Sequence, residues 1–191
     1  MKTSKRKSKC FKLFILLFLI GIIIGIIYCS NIKKDELKTI LESVKSSNII
    51  YKPLNNITDH LKILSVISLF SIIFIGLPIS SGLIISEGFT FIFRIYILYK
   101  SYKIKGIIYS LIYYLICDGL YIFFLYIIFK KIILMCKKLY KLKIKNESFN
   151  SSEIYNILLK ILYLIIFIFI TDILVYFYAD NILKIFAFLI K

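Results

Sequence analysis

The sequence has 191 residues, of which 60% are hydrophobic and 19% are charged. A soluble globular domain is about half apolar and about a quarter charged, and a disordered chain is poorer still in apolar residues, so both classes are excluded. Lysine and arginine number 26 against 10 acidic residues, which gives a formal net charge of +16. In so apolar a chain this charge indicates an anionic membrane surface rather than nucleic acid as the partner.

The apolar residues form runs of the length needed to cross a bilayer, about 20 residues for about 30 Å of hydrocarbon. We therefore predict an all-α fold, a polytopic integral membrane helix bundle with about five transmembrane helices. The whole chain, 1–191, is expected to form a single membrane domain without a second folded unit. The predicted spans cover approximately residues 13–29, 61–79, 83–98, 107–129 and 154–178.

The first span, Leu13–Cys29, follows six basic residues, which places the N-terminus in the cytoplasm. Bulky side chains at 26–28 argue against cleavage by signal peptidase, so the span is expected to remain as an anchor. Gly21 and Gly25 stand four residues apart on one helix face, where missing side chains allow another helix to approach closely. Packing within the molecule is the favoured use, and homo-oligomerisation is the alternative.

The sizeable hydrophilic segment that follows, residues 31–60, is predicted to be an extracytoplasmic loop. Its apolar residues recur at helical spacing, and acidic residues stand near the start of the pattern, which is typical of a short amphipathic helix. The residues of this pattern are Asp35, Glu36, Leu37, Ile40, Leu41 and Val44. A helix that only lies on the lipid interface is the alternative interpretation.

Glycine and proline mark the junction of the second and third spans. Gly76 and Pro78 stand near the end of the second span, where they predict a helix break and a tight return of the chain. Together with Gly88 in the third span, they are also predicted positions of close helix packing.

Three ionisable residues fall inside the third and fourth spans, where each costs about 2.5–3.5 kcal/mol to insert. Asp118 lies at the middle of the fourth span and Arg94 near the centre of the antiparallel third, so we predict an ion pair between them. Glu87 precedes Arg94 by seven residues on the same face and extends a polar seam. A structural ion pair is the favoured interpretation, and an ion or substrate path is the alternative. Lys160 and Asp172, nearer the ends of the fifth span, are expected to snorkel.

Between the fourth and fifth spans, residues 130–153 contain seven lysines and are predicted to form a basic cytoplasmic loop facing anionic lipid. Asn150 and Glu153 match a capping box at the start of the fifth span. The final stretch, 181–191, is too short to cross the membrane and is expected to lie at the interface or on the bundle.

Residues for catalysis or metal binding are scarce. The single histidine, His60, stands at the outer end of the second span, so no serine and histidine meet within the bilayer. The four cysteines show no CxxC pair and no metal spacing, and neither HExxH nor a glycine-rich phosphate loop occurs. We therefore predict a protein without enzymatic activity, bound metal or cofactor.

An ordered set of short motifs runs through the middle of the chain. It comprises His60-Leu61-Lys62, Ile75-Gly76-Leu77-Pro78, Gly88-Phe89, and Lys105-Gly106 with Ser110 and Leu115. From the first span through the fourth, this set resembles the stage II sporulation protein M family. The most specific element is IGLP followed ten residues later by GF.

The chain also departs from the family pattern. Family members usually have further glycines after GF, where this chain has Phe91, Ile92 and Phe93. A Leu-Pro is common in their fourth span, whereas here Ile116 follows Leu115 and Asp118 takes the polar place. The Arg94 and Asp118 pair is therefore a prediction for this chain and not for its relatives.

The resemblance implies a non-enzymatic membrane protein of endospore-forming bacteria that acts in engulfment. Such proteins lie in the septal membrane on the mother-cell side and help to localise stage II sporulation proteins D and P, which degrade peptidoglycan. We expect the loop 31–60, with its amphipathic helix, to contact these partners. The alternative is a small transporter, or the substrate-binding membrane subunit of one, with a polar cavity lined by Glu87, Arg94 and Asp118.

Overall fold

The computed structural model describes residues 2–46, 76–145 and 151–186. These ranges are almost entirely helical and contain no strand. Four helices in them are long and apolar enough to cross a membrane: Lys9–Asn31, Gly76–Tyr102, Ile104–Tyr140 and Tyr155–Val175. The predicted all-α, multi-pass membrane helix bundle is therefore confirmed.

Six α-helices and one π-helical turn make up the described chain. They are α1 (Lys2–Asn31), α2 (Lys34–Ser46), α3 (Gly76–Tyr102), α4 (Ile104–Tyr113), the π turn (Tyr114–Asp118), α5 (Gly119–Lys145) and α6 (Ser151–Phe186). The residues at both junctions of the π turn keep helical backbone angles. Thus α4, the π turn and α5 form one continuous helix, called here the long helix.

Helices α1 and α3 run parallel and touch closely. The backbone of Gly21 lies against Ile85, and Gly25, one turn further on, lies against Phe89 and Ile92. The chain then reverses sharply at Lys103, so the long helix runs antiparallel to α3. As a result, α1 ends and α3 begins at opposite ends of the bundle.

Helix α6 runs antiparallel to the long helix. Phe124 and Phe167 make an edge-to-face ring contact with centroids 5.1 Å apart. Further along α6, Val175 packs against the cluster that contains Cys117. The bundle therefore has α1, α3 and α6 pointing one way and the long helix pointing the other.

The two lysine-rich segments of the described chain meet at one end of the bundle. Near the start of α1, Phe11 and Phe14 contact Tyr126, with ring centroids 5.6 and 5.4 Å apart. Phe14 also lies 6.1 Å from the ring of Phe129, beside the first lysines of α5. We call this the basic end, and the opposite end, around the Lys103 turn, the turn end.

The long helix supplies most of the core, in contact with α1, α3 and α6. The fully or nearly fully buried cluster contains Phe14, Ile84, Tyr121, Leu125, Ile128, Phe129, Ile132, Ile133, Ile161 and Ile168. Many other large apolar side chains of α1 and α6, such as Leu16, Ile23 and Leu162, are exposed. This distribution is expected of a small bundle whose outer surface faces lipid, where close packing rather than removal from water joins the helices.

Helix α3 begins earlier than the sequence predicts. Residues 76–79, assigned to the end of the second span, lie in α3 among its first described residues, and the predicted third span 83–98 lies further along the same helix. The rest of the predicted second span, 61–75, lies outside the described residues.

The basic segment after the fourth span is helical, so the predicted loop 130–153 is wrong for residues 130–145. Ile132, Ile133 and Met135 are buried between the lysines, and their contacts extend α5 to Lys145. Likewise, α6 continues to Phe186, so residues 181–186 belong to the long sixth helix rather than to a separate interfacial segment. Asn150, the predicted cap, and residues 187–191 lie outside the described ranges.

Helix α2 lies where the sequence predicts an amphipathic helix. Leu37, Ile40 and Leu41 are half-buried, whereas Asp35 and Glu36 are exposed. The helix also contains Val44 and contacts α3. Residues 47–60 of the predicted loop lie outside the described part of the chain.

Candidate functional site

An ion pair joins α3 to the long helix inside the bundle. The Arg94 Nη1 group donates a hydrogen bond of 2.6 Å to Asp118 Oδ2, the pair that the sequence predicts. The Asp118 side chain is only 8% exposed and that of Arg94 is 26% exposed. The carboxylate is therefore shielded almost completely, so its stability depends on the guanidinium beside it.

Tyr113 completes the surroundings of the arginine. The Arg94 Cζ atom lies 4.4 Å from the centroid of the Tyr113 ring. A guanidinium over an aromatic face gains roughly 0.5–2 kcal/mol, more where water is scarce. The charge of Arg94 is thus met by a carboxylate and by an aromatic face, both on the long helix.

The π turn explains how one helix presents both groups. In an ideal α-helix each residue turns by 100°, so Tyr113 and Asp118, five residues apart, would point about 140° away from each other. The wider π turn over Tyr114–Asp118 reduces this angle and brings both toward Arg94. Tyr113 and the π turn are not among the features predicted from the sequence, because no spacing pattern in the sequence predicts an i→i+5 turn.

Glu87, the third residue of the predicted polar seam, faces the long helix. It is half-buried and lies within electrostatic range of Tyr114 and Tyr121. Tyr114 also packs its ring against Phe91, with centroids 4.4 Å apart. Glu87 therefore belongs to the same polar region as the ion pair and lies closer to the basic end than Arg94 does.

Asp172 of α6 also belongs to this region, which corrects the prediction that it snorkels. It is 7% exposed and lies within electrostatic range of Tyr121. Asp172 is buried where α6 contacts the π turn, so its side chain does not extend toward the membrane surface. Lys160, by contrast, is exposed. We call the whole group the polar cluster: Glu87, Arg94, Tyr113, Tyr114, Asp118, Tyr121 and Asp172.

The predicted packing glycines lie on the other side of α3. A Cβ atom on Gly21 would collide with the carbonyl oxygen of Ile85, and one on Gly88 with the carbonyl oxygen of Phe18. A Cβ atom on Gly25 would collide with the side chain of Ile92. The glycines of α1 are thus occupied by contacts within the molecule.

The two remaining predicted packing residues are at the start of α3. Gly76 is buried and Pro78 is exposed. Both lie in α3, and the residues before Gly76, where the predicted break between two spans would fall, lie outside the described ranges.

The polar cluster can hold buried charge, but its composition does not indicate a particular reaction. In the described ranges, no three His, Cys, Asp or Glu residues come together as metal ligands would. Comparisons with protein-family models, curated proteins and solved structures find no match to the chain.

Proposed function

We propose that the protein is a non-enzymatic membrane scaffold of the sporulation engulfment machinery. In this proposal it lies in the septal membrane of the mother cell and localises the peptidoglycan-degrading stage II sporulation proteins D and P. The resemblance of its motifs to the stage II sporulation protein M family supplies the biological role. The observation that carries the proposal is the closed contact of Arg94 with Asp118 and Tyr113.

This contact favours a structural role because each charge is met by a neighbouring side chain. The carboxylate accepts a hydrogen bond from the guanidinium, and the guanidinium also covers the Tyr113 ring. A transport path needs groups that bind and release a passing ion, whereas a mutual pair of this kind holds two helices in register. A scaffold requires such rigidity to present its outer surface in a fixed position.

Helix α2 is the proposed partner surface. Its apolar residues Leu37, Ile40 and Leu41 are half-buried, while Asp35 and Glu36 are exposed. If the N-terminus is cytoplasmic, α1 delivers α2 to the outer side of the membrane, where peptidoglycan-degrading partners work. The exposed acidic residues would then be available for polar contacts with those partners.

The test is co-purification of proteins D and P from sporulating cells at matched membrane levels of each variant. We expect deletion of residues 35–45 to abolish recovery of the partners, and the double variant Asp35→Lys with Glu36→Lys to reduce it at least several-fold. Lys137→Glu, an exposed charge reversal at the basic end, is the control and should retain full recovery. Undiminished recovery with both α2 variants would refute the proposed surface.

A small membrane transporter is the second candidate, and one observation favours it. Glu87 and Asp172 add two acidic groups to the polar cluster beyond those that a single structural pair requires. Ionisable residues at membrane depth commonly mark ion or substrate paths. A ligand retained by the purified protein and lost on Asp172→Asn would support transport over the scaffold.

A further inference from the structure

Three lysines meet where α5 and α6 pack together near the basic end. Lys130 and Lys131 follow one another on α5, and Lys160 projects from α6. Lys131 is half-buried, and the antiparallel contact of Phe124 with Phe167 places it level with Lys160, since each lysine stands seven residues from its ring toward the basic end. Lys131 lies within electrostatic range of both other ammonium groups. We call these three residues the lysine seam, since they bring like charges from two helices to one place.

No side chain that the structure describes supplies an anion for this seam. Lys130, Lys131 and Lys160 form no ion pair with any of these described side chains. Of the acidic side chains described in α3 to α6, Asp118 is paired with Arg94, and Glu87 and Asp172 lie near Tyr121. Three like charges held together repel one another, so a bound anion would lower the energy of the folded protein.

The surface beside the seam is apolar and aromatic. Tyr163 and Phe167 follow Lys160 by three and seven residues on the same face of α6, and both are exposed. Phe123 of α5 is also exposed, one residue before the Phe124 ring that contacts Phe167. This surface extends from the lysines toward the middle of the bundle. The acyl chains of a lipid extend in the same direction from a headgroup at the lysines.

The depth of the seam favours a lipid over a dissolved ion. Lys160 lies five residues inside the apolar stretch Tyr155–Val175, which corresponds to about 7.5 Å along the helix. Lysines so placed extend toward the interface, where the phosphates of the lipids lie. Basic pockets between membrane helices are known to take up anionic lipid headgroups.

We propose that the lysine seam binds the phosphate headgroup of an anionic phospholipid whose acyl chains lie along the exposed aromatic surface of α5 and α6. The site is independent of the α2 surface and does not depend on the proposed scaffold function. It would anchor α6 to α5 from outside, at the end of the bundle opposite the Lys103 turn.

The full-length protein in detergent, titrated with phosphatidylglycerol or phosphatidylcholine, provides the test. We expect phosphatidylglycerol to raise the melting temperature of the unsubstituted protein and to remain bound in native mass spectrometry. For the variant Lys131→Gln with Lys160→Gln, binding should be about 30-fold weaker, because each lysine near the surface contributes about one kcal/mol. Without lipid, this variant should fold and melt no lower than the unsubstituted protein, since it loses only repulsion.

The matched control is Lys103→Gln with Lys105→Gln, which removes the same charge from exposed positions at the turn end. It should bind phosphatidylglycerol as the unsubstituted protein does. Equal loss of binding in both double variants would show a nonspecific charge effect and overturn the site. Equal stabilisation by inorganic phosphate would overturn the lipid as its occupant.

Discussion

Helix α3 makes two contacts of opposite character. Toward α1 it offers Gly88 and a bare backbone, and the two main chains meet with almost no side chain between them. Toward the long helix it offers Arg94, held by a carboxylate and an aromatic ring. The first contact depends on the absence of atoms and the second on the balance of charge.

The difference matters because water does not drive helices together inside a membrane. Helices in a membrane are instead joined by close backbone approach and by polar contacts. Added volume should therefore damage the α1 contact, whereas loss of charge balance should damage the contact with the long helix. Each of the following substitutions tests one side of this contrast.

The largest effect is expected from Asp118→Asn. It leaves the Arg94 charge without its carboxylate, and breaking a buried pair from one side costs about 3–5 kcal/mol. Thermal or denaturant unfolding in bilayers should show this loss. Joint replacement, Arg94→Met with Asp118→Leu, should recover most of it, because no uncompensated charge remains. Unchanged stability of Asp118→Asn together with altered ion flux would contradict the structural role and favour transport.

A smaller effect is expected from Gly21→Ala, which places a methyl group against the backbone of Ile85. Overpacking of this kind costs about 1–3 kcal/mol. Gly25→Ala should cost less, because the obstructing Ile92 side chain can rotate away, whereas a carbonyl group cannot. The same unfolding measurement checks both substitutions.

Gly82→Ala is the control, since a Cβ atom there meets nothing within 4 Å. It should leave stability unchanged or raise it by up to about 1 kcal/mol through better helix propensity. If Gly21→Ala and Gly82→Ala behaved alike, the glycine contact between α1 and α3 would not be the tight interface described above.

Residues whose chemistry is unusual for their surroundings could be predicted from the sequence. Arg94 and Asp118 stand out in apolar spans, and so their pairing could be predicted from depth alone. The glycines of α1 stand out for the same reason, although their partner helix could not be identified. A charge inside the membrane needs a partner, and a helix surface without side chains needs a close neighbour, so both features predict a contact.

The errors have a different cause, which is that local patterns do not fix where a helix ends. The lysine-rich composition of residues 130–145 is typical of a loop. The segment is helical nevertheless, because Ile132 and Met135 are buried in the bundle. The sequence predicts that Asp172 extends toward the membrane surface, but the contact of α6 with the π turn buries it. The π turn depends on contacts between helices and leaves no trace in the spacing of residues.

The smallest effect is expected at the turn between α3 and α4, away from both contacts. Lys103 has a positive φ of 55°, which costs a residue with a side chain roughly 1–2 kcal/mol. Lys103→Gly should therefore raise stability by up to about 1 kcal/mol, after the entropy of glycine is deducted. Lys105→Gly, within α4, should lower it by about 0.5–1 kcal/mol. Paired melting curves in one lipid would reveal an opposite sign for the two variants.

The π turn also determines how the long helix responds to a change in chain length. Removing one residue between Tyr114 and Asp118 would convert the turn to ordinary α-helix with little rotation of α5 relative to α4, because the five residues of the π turn rotate the chain about as far as four α-helical residues do. The side of α5 that carries Leu125, Ile128 and Ile132 would then still face its neighbours. The five residues of this turn therefore act as a phase adjustment between two helical halves, and a deletion of one residue is less disruptive here than elsewhere in the long helix, where it would rotate the residues beyond it by about 100°.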